Sequence, residues 1–310
     1  AQSDNFQIWT QGQGKYTSHW LPCFDDVNEK VIFNLNISFE PNITVISNGI
    51  HKSTVVYPPV SNSNNIWNFR MQKPMSSYLV MLAIGNFEKQ TAKTKSGTPL
   101  EFYLNKNDVA KFETTYRYSK ELFDFLEQEI GVKYPWQIYR QVPVRDFLYA
   151  GMENTTSTVF SQDFVVDDIG FNDRNYVNVN AHELAHQWFG DKITCGSWED
   201  IWLNEGFATH LASFYNENKY GQINWDSMIM NRKSVVDFIT SLPDGSVKVS
   251  DTTNVGRIFN SRLSYQKGSY LLYMLRWKLS DELFFKAIQQ YQKDPKLVYG
   301  FARTADLKRN

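Results

Sequence analysis

The chain has 310 residues, of which 42 % are hydrophobic, 15 % aromatic and 21 % charged. That composition excludes a disordered or fibrous protein, and the length suggests two domains with a large core. Its 32 Lys and Arg residues nearly balance 33 Asp and Glu residues, for a formal net charge of −1, and no long basic run occurs. Nucleic acid is therefore not an expected partner.

Cysteine content and hydropathy exclude two further features, a cysteine-based scaffold and a membrane-spanning helix. The two cysteines, Cys23 and Cys195, are too few and too far apart for a disulfide framework or a cysteine metal cluster. They leave the cellular compartment open. No apolar run reaches the roughly 18 to 20 residues that a membrane-spanning helix needs, so we predict no transmembrane segment in this chain.

The first ninety residues have the pattern of β-structure. Apolar and polar residues alternate strictly over 30–40, which predicts a half-buried strand. The β-branched segment 43–47 leads into Asn48-Gly49, a pair that readily adopts the positive φ angles of a tight hairpin turn. Further strands are expected at 66–71 and 78–87. We therefore predict a partial N-terminal β-domain over residues 1–90.

The pattern changes period after about residue 105. Apolar residues recur every three or four positions from Val109 until Gly131 supplies a C-terminal stop, which predicts one long amphipathic helix. Later strands are predicted near 100–104, 138–144 and 155–160, and helices at 181–189, 201–219, 264–278 and 281–292. A small sheet followed by helices is typical of an α+β fold, and we assign residues 91–310 to the second domain.

The segment from His182 to His186, His-Glu-Leu-Ala-His, carries the strongest chemical signal. With 3.6 residues per turn, its two imidazoles lie on the same face of one helix and can reach one metal ion. The chain has only five histidines, so this spacing rarely arises by chance. The alternative interpretation, an ordinary exposed helix with solvated side chains, leaves the third ligand described next unexplained.

A third ligand is expected from a second helix. Catalytic zinc takes three protein ligands and keeps a fourth position for water. Glu205 lies 19 residues after His186, enough for a loop and a returning helix. We predict that His182, His186 and Glu205 hold one zinc ion per chain. Glu183 is the predicted general base, because a carboxylate beside a ligand can take a proton from water that the metal has made acidic.

The segment 150–154, Ala-Gly-Met-Glu-Asn, precedes the histidine motif by about 30 residues. Together with the wide gap between His186 and Glu205, it resembles the zinc aminopeptidase family typified by aminopeptidase N, to which aminopeptidase B and leukotriene hydrolase are related. The resemblance implies that residues 91–310 form a thermolysin-like catalytic domain of a small mixed sheet plus helices. It covers nearly the whole chain, although family members continue beyond the position of Asn310 into a C-terminal helical domain that we expect to be absent here.

The same resemblance implies roles on the substrate side. The motif lies on a strand that pairs with the substrate, and Glu153 binds the free α-amino group. Because Glu153 is then one residue's length from the zinc, only the N-terminal residue is removed. The family's common Gly-Ala is reversed here, and the outer wall of the first pocket can differ accordingly. The predicted substrate-binding residues are Gln11, Gln13, Tyr149, Ala150, Gly151, Met152, Glu153 and Asn154.

Two further positions take roles from the resemblance. Tyr265, in the segment Tyr-Gln-Lys-Gly, resembles the family's tyrosine that donates a hydrogen bond to the oxyanion as the carbonyl becomes tetrahedral. Gln13 stands where many members have Glu and is more similar to aminopeptidase B and the leukotriene hydrolase. Among these groups, Glu153 alone then carries full negative charge toward the amine.

The implied function is zinc-dependent hydrolysis of the N-terminal residue from peptides that have a free N-terminal amine. Three alternatives stay open at this stage: an epoxide hydrolase of the leukotriene hydrolase type, an endopeptidase, and a non-catalytic zinc-containing binding protein. The last is disfavoured because structural zinc sites are usually closed by a fourth protein ligand, commonly cysteine, and none is apparent. An endopeptidase conflicts with Glu153, which would block chain on the amine side.

Overall fold

The structure is a computed structural model that describes residues 6–56, 64–221, 237 and 245–310. The chain folds into two units. The first comprises Ala1–Asp25, Glu29–Lys120 and Trp136–Tyr176, and the second comprises Asp26–Asn28, Glu121–Pro135 and Val177–Asn310. The expected domain boundary between residues 90 and 91 stays a prediction, since a compact unit can contain parts of two sequence domains.

The first unit is built mainly from strands. They are β1 (Gln7–Trp9), β2 (Lys30–Val31), β3 (Asn34–Phe39), β4 (Thr44–Ser47), β5 (Ile50–Val55), β6 (Asn65–Arg70), β7 (Met75–Ser76), β8 (Leu82–Gly85), β9 (Phe87–Lys93), β10 (Pro99–Asn105), β11 (Tyr139–Val144), β12 (Gly151–Met152) and β13 (Ser157–Ser161). They form sheets in the orders β1-β8-β4, β2-β7, β3-β6-β5 and β12-β13-β11-β10-β9.

Alternating sequence produces the half-buried strand that it predicted. In β3, Asn34, Asn36 and Ser38 are exposed while the intervening apolar residues are half-buried, and the strand pairs antiparallel with β6. The single strand predicted over 30–40 is instead two, because β2 pairs with β7 and β3 pairs with β6. The apolar face covers a core cluster made of Ile43, Val45, Trp67, Phe69 and Ile84.

The expected tight hairpin at Asn48-Gly49 is wrong. Gly49 does have a positive φ of 80°, and a Cβ there would lie 2.3 Å from the Arg70 carbonyl oxygen. However, β4 pairs with β8 while β5 pairs with β6, so the two flanking strands enter different sheets. The chain passes from one sheet to another at this pair, and the Asn48 side chain is buried there.

The five-stranded sheet carries the Ala-Gly-Met-Glu-Asn segment on its edge. Strand β11 is paired in parallel with both β10 and β13, and every residue of β11 and β13 is buried. Parallel strands covered on both faces explain these continuous buried runs. Strand β12 pairs antiparallel with β13, with Gly151 opposite Phe160 and Met152 opposite Val159. The motif therefore lies at the edge of the sheet.

Helices dominate the second unit. The α-helices of the described chain are α1 (Phe112–Tyr116), α2 (Ser119–Ile130), α3 (Val177–His186), α4 (Trp202–Tyr220), α5 (Val255–Ile258), α6 (Gly268–Leu279), α7 (Asp281–Lys293) and α8 (Thr304–Arg309). A π-helix over Ser261–Lys267 runs directly into α6. Two short strands, β14 (Thr194–Cys195) and β15 (Phe301–Ala302), pair in parallel.

The helix predictions hold in position but not in every boundary. The helices expected at 181–189, 201–219 and 281–292 are α3, α4 and α7. The one expected from Val109 is interrupted, with a 3₁₀ turn at Lys106–Lys111 followed by α1 and α2. Gly131, with φ of 66°, ends α2 as predicted. In the part of the chain that the structure describes, no helix combines the length and apolarity needed to cross a bilayer. The α+β class is confirmed.

Candidate active site

Helix α3 brings two imidazoles together on one face. The ring centroids of His182 and His186 are 4.6 Å apart, and their Nε2 atoms are separated by 3.0 Å. Helix α3 ends at His186, whose Nδ1 lies 3.0 Å from the carbonyl oxygen of Phe189. Since a carbonyl can only accept, Nδ1 carries the proton in the neutral ring, and Nε2 presents a lone pair.

Glu205 reaches both histidines from the first turn of α4. Its Oε2 lies 3.2 Å from the Nε2 of His182 and 3.2 Å from the Nε2 of His186. The start of α4 is fixed by Asn204, whose Oδ1 accepts a 3.0 Å hydrogen bond from the backbone N–H of Cys195. Gly190 is required in the intervening loop, because its φ is 138° and a Cβ would lie 3.0 Å from Nδ1 of His186.

The three side chains form a histidine–carboxylate cluster, defined as His182, His186 and Glu205. One ligand atom from each lies within 4.8 Å of the others. With neutral rings, a carboxylate oxygen and a nitrogen lone pair face each other, an arrangement that favours a cation between them. Tetrahedral zinc with bonds of about 2.0–2.2 Å separates its ligand atoms by about 3.3–3.6 Å, a few tenths of an ångström more than the observed separations of 3.0–3.2 Å. These residues therefore fit a single metal ion.

Protonation also suits ligation. Burial raises the pKa of the Glu205 carboxyl, but the adjacent His186 and His182 outweigh that effect and hold this pKa below its ordinary value. Burial lowers the pKa of His182, and the charge of His186 lowers it further, although Glu205 opposes both. A carboxylate and a neutral imidazole are the forms that bind metal, so both groups are in ligand form at neutral pH.

Glu183 lies beside this cluster. It is buried, with 6 % of its surface exposed, and one of its carboxylate oxygens is within 4.8 Å of a ring nitrogen of His186. Glu183 follows His182 on α3 and is the one acidic residue of that helix. The site therefore has a second carboxylate, besides Glu205 of α4, that is not one of the three members of the cluster.

Tyr265 lies against His182 and belongs to an unusual turn. Its ring stacks on the imidazole of His182 with centroids 5.9 Å apart and planes inclined by 15°. It lies within the π-helix, and such wide turns inside helices are frequent at functional sites. The following α6 touches α4 where Gly206 meets Gly268, since a Cβ on Gly206 would lie 3.0 Å from the Cα of Gly268.

The predicted substrate residues all lie in the first unit. Gln11 Nε2 is 3.7 Å from the sulfur of Met152, and the Gln11 side chain accepts a 2.5 Å hydrogen bond from the backbone N–H of Gln13. The carbonyl of Ala150 accepts from the backbone N–H of Ser161, extending the β12–β13 pairing.

The motif residues themselves differ in exposure. Tyr149 is 47 % exposed and Ala150 is exposed, whereas Gly151 is half-buried. Glu153 is only 3 % exposed and Asn154 is fully buried. The acidic residue of the motif is therefore held inside the protein, where a carboxylate acts strongly on a bound cation.

Several neighbours of the site were not found from the sequence. Thr209 Oγ1 lies 3.4 Å from Nδ1 of His182, and Asn204 anchors the loop before α4. Thr209 follows Glu205 by four residues, so helical spacing alone could have placed it on the same face. The carbonyl of Phe189 has no sequence signal, because any residue would present one.

Two histidines four residues apart with Glu after the first, joined by a carboxylate from a second helix, define the H-E-x-x-H class of metallopeptidase site. Family comparison agrees. The model of the Peptidase family M1 domain matches residues 114–310, and the model of the Peptidase M1 N-terminal domain matches residues 2–79. The chain belongs to peptidase family M1.

Individual relatives are aminopeptidases by name. The chain is 29 % identical over 311 residues to a leucyl aminopeptidase of Saccharolobus solfataricus, covering 98 % of this chain and 39 % of that protein. It is 30 % identical over 300 residues to glutamyl aminopeptidase of Sus scrofa, covering 92 % and 31 %. It is 28 % identical over 299 residues to aminopeptidase N of Mus musculus, covering 91 % and 30 %. The chain thus spans between three and four tenths of the length of these relatives.

Proposed function

We propose that the protein is a zinc-dependent aminopeptidase that removes the N-terminal residue from peptides with a free amine. The observation that carries this proposal is the histidine–carboxylate cluster, in which a carboxylate oxygen lies 3.2 Å from each of two imidazole nitrogens. Membership of peptidase family M1 and the aminopeptidase names of the relatives support the same reaction.

His182, His186 and Glu205 would hold one zinc ion. When bound there, zinc supplies Lewis-acid chemistry, which polarises a carbonyl and makes water acidic near neutral pH. The choice of zinc follows from the ligand types, since two imidazoles and one carboxylate with an open position are a common catalytic zinc set.

Glu183 is the proposed general base. Its carboxylate takes a proton from the attacking water and later passes that proton to the nitrogen of the leaving amine, so no covalent intermediate is needed. Burial of Glu183 and its position beside His186 support this role. Tyr265 donates a hydrogen bond from its phenol to the oxyanion of the tetrahedral intermediate, a contribution typically of about 3 kcal/mol.

Glu153 is the proposed partner of the substrate's α-amino group, assisted by Gln11 and Gln13. A carboxylate that is almost fully buried forms a strong charge-assisted hydrogen bond with an ammonium group. The backbone of the edge strand β12 can pair with an extended peptide, and Tyr149 is the proposed lining of the first pocket. The assignments of Glu153 and β12 follow the Ala-Gly-Met-Glu-Asn motif, and those of Gln11 and Gln13 follow the N-terminal segment.

The test is hydrolysis of a panel of aminoacyl-p-nitroanilides by the zinc-loaded, full-length protein, beside the same panel with acetylated amines. We expect cleavage of free-amine substrates only, lost with a zinc chelator and restored by added zinc. Cleavage of the acetylated panel would instead identify an endopeptidase. No cleavage of either panel, with zinc demonstrably bound, would contradict the proposal and leave a non-peptide substrate, such as an epoxide, or a binding role.

A further inference from the structure

The turn that follows Glu153 is buried and strained. Residues from Asn154 to Ser157 are all fully buried, although each is polar. The backbone N–H of Ser157 donates to the Asn154 carbonyl, and Thr156 has a φ of 68°. A β-branched residue rarely adopts a positive φ, because its side chain clashes with the backbone. Such a conformation persists only where the surrounding structure enforces it.

Asn48 is one of the groups that enforces it. Its side-chain Nδ2 donates to the carbonyls of Leu79, at 3.0 Å, and Thr155, at 2.7 Å. Its Oδ1 accepts from the backbone N–H of Met81 at 2.8 Å. The next residue, Gly49, donates its N–H to Thr156 Oγ1 at 2.8 Å. The segment Asn48-Gly49 therefore forms hydrogen bonds with both Thr155 and Thr156.

Asn154 joins the same arrangement. Its Nδ2 lies 3.2 Å from the Leu79 carbonyl oxygen, the atom that also accepts from Asn48. Leu79 thus links the residue directly after Glu153 to the side chain of Asn48. All of these groups belong to the first unit and are buried, so they form a fixed support for the turn.

Arg140 completes the support from β11. Its backbone N–H donates to the Thr156 carbonyl at 2.8 Å. Its guanidinium donates through Nη1 to the carbonyls of Ser47 and Gly49 and through Nε to Glu101 at 2.6 Å. Arg140 is 1 % exposed, and a buried guanidinium with several acceptors holds them in fixed geometry. We name Asn48, Gly49, Arg140 and Thr156 the Asn48 network.

We infer that Asn48 is a positioning residue for substrate-amine binding, acting through the turn that sets the Glu153 carboxylate. This inference rests on the proposed function of Glu153. The physical reason is that Thr156 tends to leave its strained conformation when its partners are removed, and Glu153 lies only three residues earlier. A shift of about 1 Å in a binding group can cost about 10²-fold in rate.

The test measures the preference for an amine, not turnover alone. The probes are the hydroxamate of the amino acid that the wild type prefers and the same hydroxamate without its amino group, used as competitive inhibitors of the zinc-loaded, full-length protein. The wild type should bind the amino form about 10- to 100-fold more tightly. In Asn48→Ala, we expect that ratio to fall at least about fivefold. Partial unfolding lowers the active concentration but leaves a ratio of inhibition constants unchanged.

The matched control is Ser47→Ala. Ser47 is also fully buried and its Oγ donates at 2.6 Å to the Met81 carbonyl. The control therefore loses a buried hydrogen bond next to Asn48 but keeps the Ser47 carbonyl, which accepts from Ser157 Oγ and Arg140 Nη1. It should keep the wild-type ratio. Equal ratios in Asn48→Ala and Ser47→Ala would overturn the positioning role while leaving the proposed function intact.

A second pair protects the test against misfolding. Thr156→Gly removes the Oγ1 acceptor and, because glycine has no Cβ, opens many other backbone conformations to the turn, so it should fold and lose amine preference. Thr156→Ser keeps the acceptor and should retain that preference. Wild-type ratios in both variants would overturn the inference. A wild type that hydrolyses free-amine substrates but binds both hydroxamates equally would overturn the amine role of Glu153 and the positioning role with it.

Discussion

The histidine–carboxylate cluster and the Asn48 network are both largely buried and polar, but their atoms are paired in different ways. In the cluster, the Oε2 atom of Glu205 faces the Nε2 atoms of His182 and His186 at 3.2 Å. At His186, whose Nδ1 lies against the Phe189 carbonyl, an acceptor faces an acceptor when the ring is neutral. In the network, each contact joins a donor to an acceptor, as where Asn48 Nδ2 meets the Thr155 carbonyl and Gly49 N–H meets Thr156 Oγ1.

This difference in pairing distinguishes a group of residues that can bind a ligand from a group that holds the backbone in place. A group of converging acceptors is costly to bury unless a cation joins it, so its stability and its chemistry depend on a ligand. A group of matched donors and acceptors is complete within the protein and specifies one geometry. We therefore expect substitutions in the cluster to change activity or metal binding, and substitutions in the network to change stability and geometry.

The largest effect is expected for Glu183→Gln. The amide cannot take a proton from water, so kcat should fall by roughly 10²- to 10⁴-fold while the bound zinc stays at one per chain. Aminoacyl-p-nitroanilide kinetics and metal analysis measure the two quantities. Glu127→Gln is the control, because that carboxylate accepts a backbone N–H from Tyr134 and is not part of the cluster, so the change should leave kcat unchanged. A fully active Glu183→Gln protein would refute the base assignment.

The next effect concerns metal affinity. Glu205→Gln removes the negative ligand and should weaken zinc binding by about 100-fold or more. At a zinc concentration of 100 times the wild-type Kd, bound zinc adds about 2.7 kcal/mol to the free energy of unfolding, and most of this increment should vanish in the variant. Urea unfolding with and without chelator measures it. Glu217→Gln, on the same helix but paired with Arg276, should keep the increment, whereas equal increments in Glu205→Gln would exclude Glu205 as a ligand.

The sequence could define the cluster because its information is local. Helical period alone places His182 and His186 on one face, and the 19-residue gap leaves room for Glu205 to return on α4. The metal-binding and catalytic roles of these residues stay predictions. The stacking of Tyr265 on His182 depends on a π-helix, and no periodicity distinguishes that turn from an α-helix.

The Asn48 network could not be predicted, because its contacts depend on tertiary structure. Asn48-Gly49 has the local signature of a hairpin, yet its strands join different sheets. Where an Asn side chain donates is decided by which carbonyls the tertiary structure brings to it, here Leu79 and Thr155 from distant parts of the sequence. Local propensity is overridden in this way wherever long-range pairing competes with it.

Glu101, the ionic partner of Arg140 in the Asn48 network, should contribute to the pH dependence of stability. Burial raises the pKa of Glu101, but the Arg140 guanidinium and Lys89 outweigh it and hold this pKa below its ordinary 4.5. The folded protein therefore binds fewer protons here than the unfolded chain, so the stabilisation is fully present above pH 4.5 and is lost as the pH falls through the folded-state pKa.

Glu101→Gln tests this dependence. Because it leaves the buried Arg140 without its ionic partner, the variant should lose about 3 kcal/mol of unfolding free energy at pH 7, and the deficit should shrink as the pH falls below 4.5. Urea denaturation at a series of pH values measures it. Glu88→Gln, at an exposed position on β9, should show no deficit. A Glu101→Gln deficit that is constant with pH would exclude the ion pair as its cause.

The smallest effect is expected for Gly268→Ala, which changes the packing of α6 against α4 and not the charge of the cluster. A Cβ on Gly268 would lie 3.0 Å from the Cα of Gly206, so Gly268→Ala should push α6 away from α4 and lower the unfolding free energy by about 1–3 kcal/mol. Because Tyr265 precedes Gly268 by three residues and Glu205 precedes Gly206 by one, the same displacement separates the phenol from the metal ligands. We expect kcat to fall more than KM rises, since the oxyanion contact forms only in the transition state.

The control is Gly256→Ala, because a Cβ there would meet Asn254 Oδ1 at 3.4 Å. This variant should preserve both the unfolding free energy and kcat. If Gly268→Ala were destabilised with an unchanged kcat, the position of Tyr265 would not be set by this helix contact.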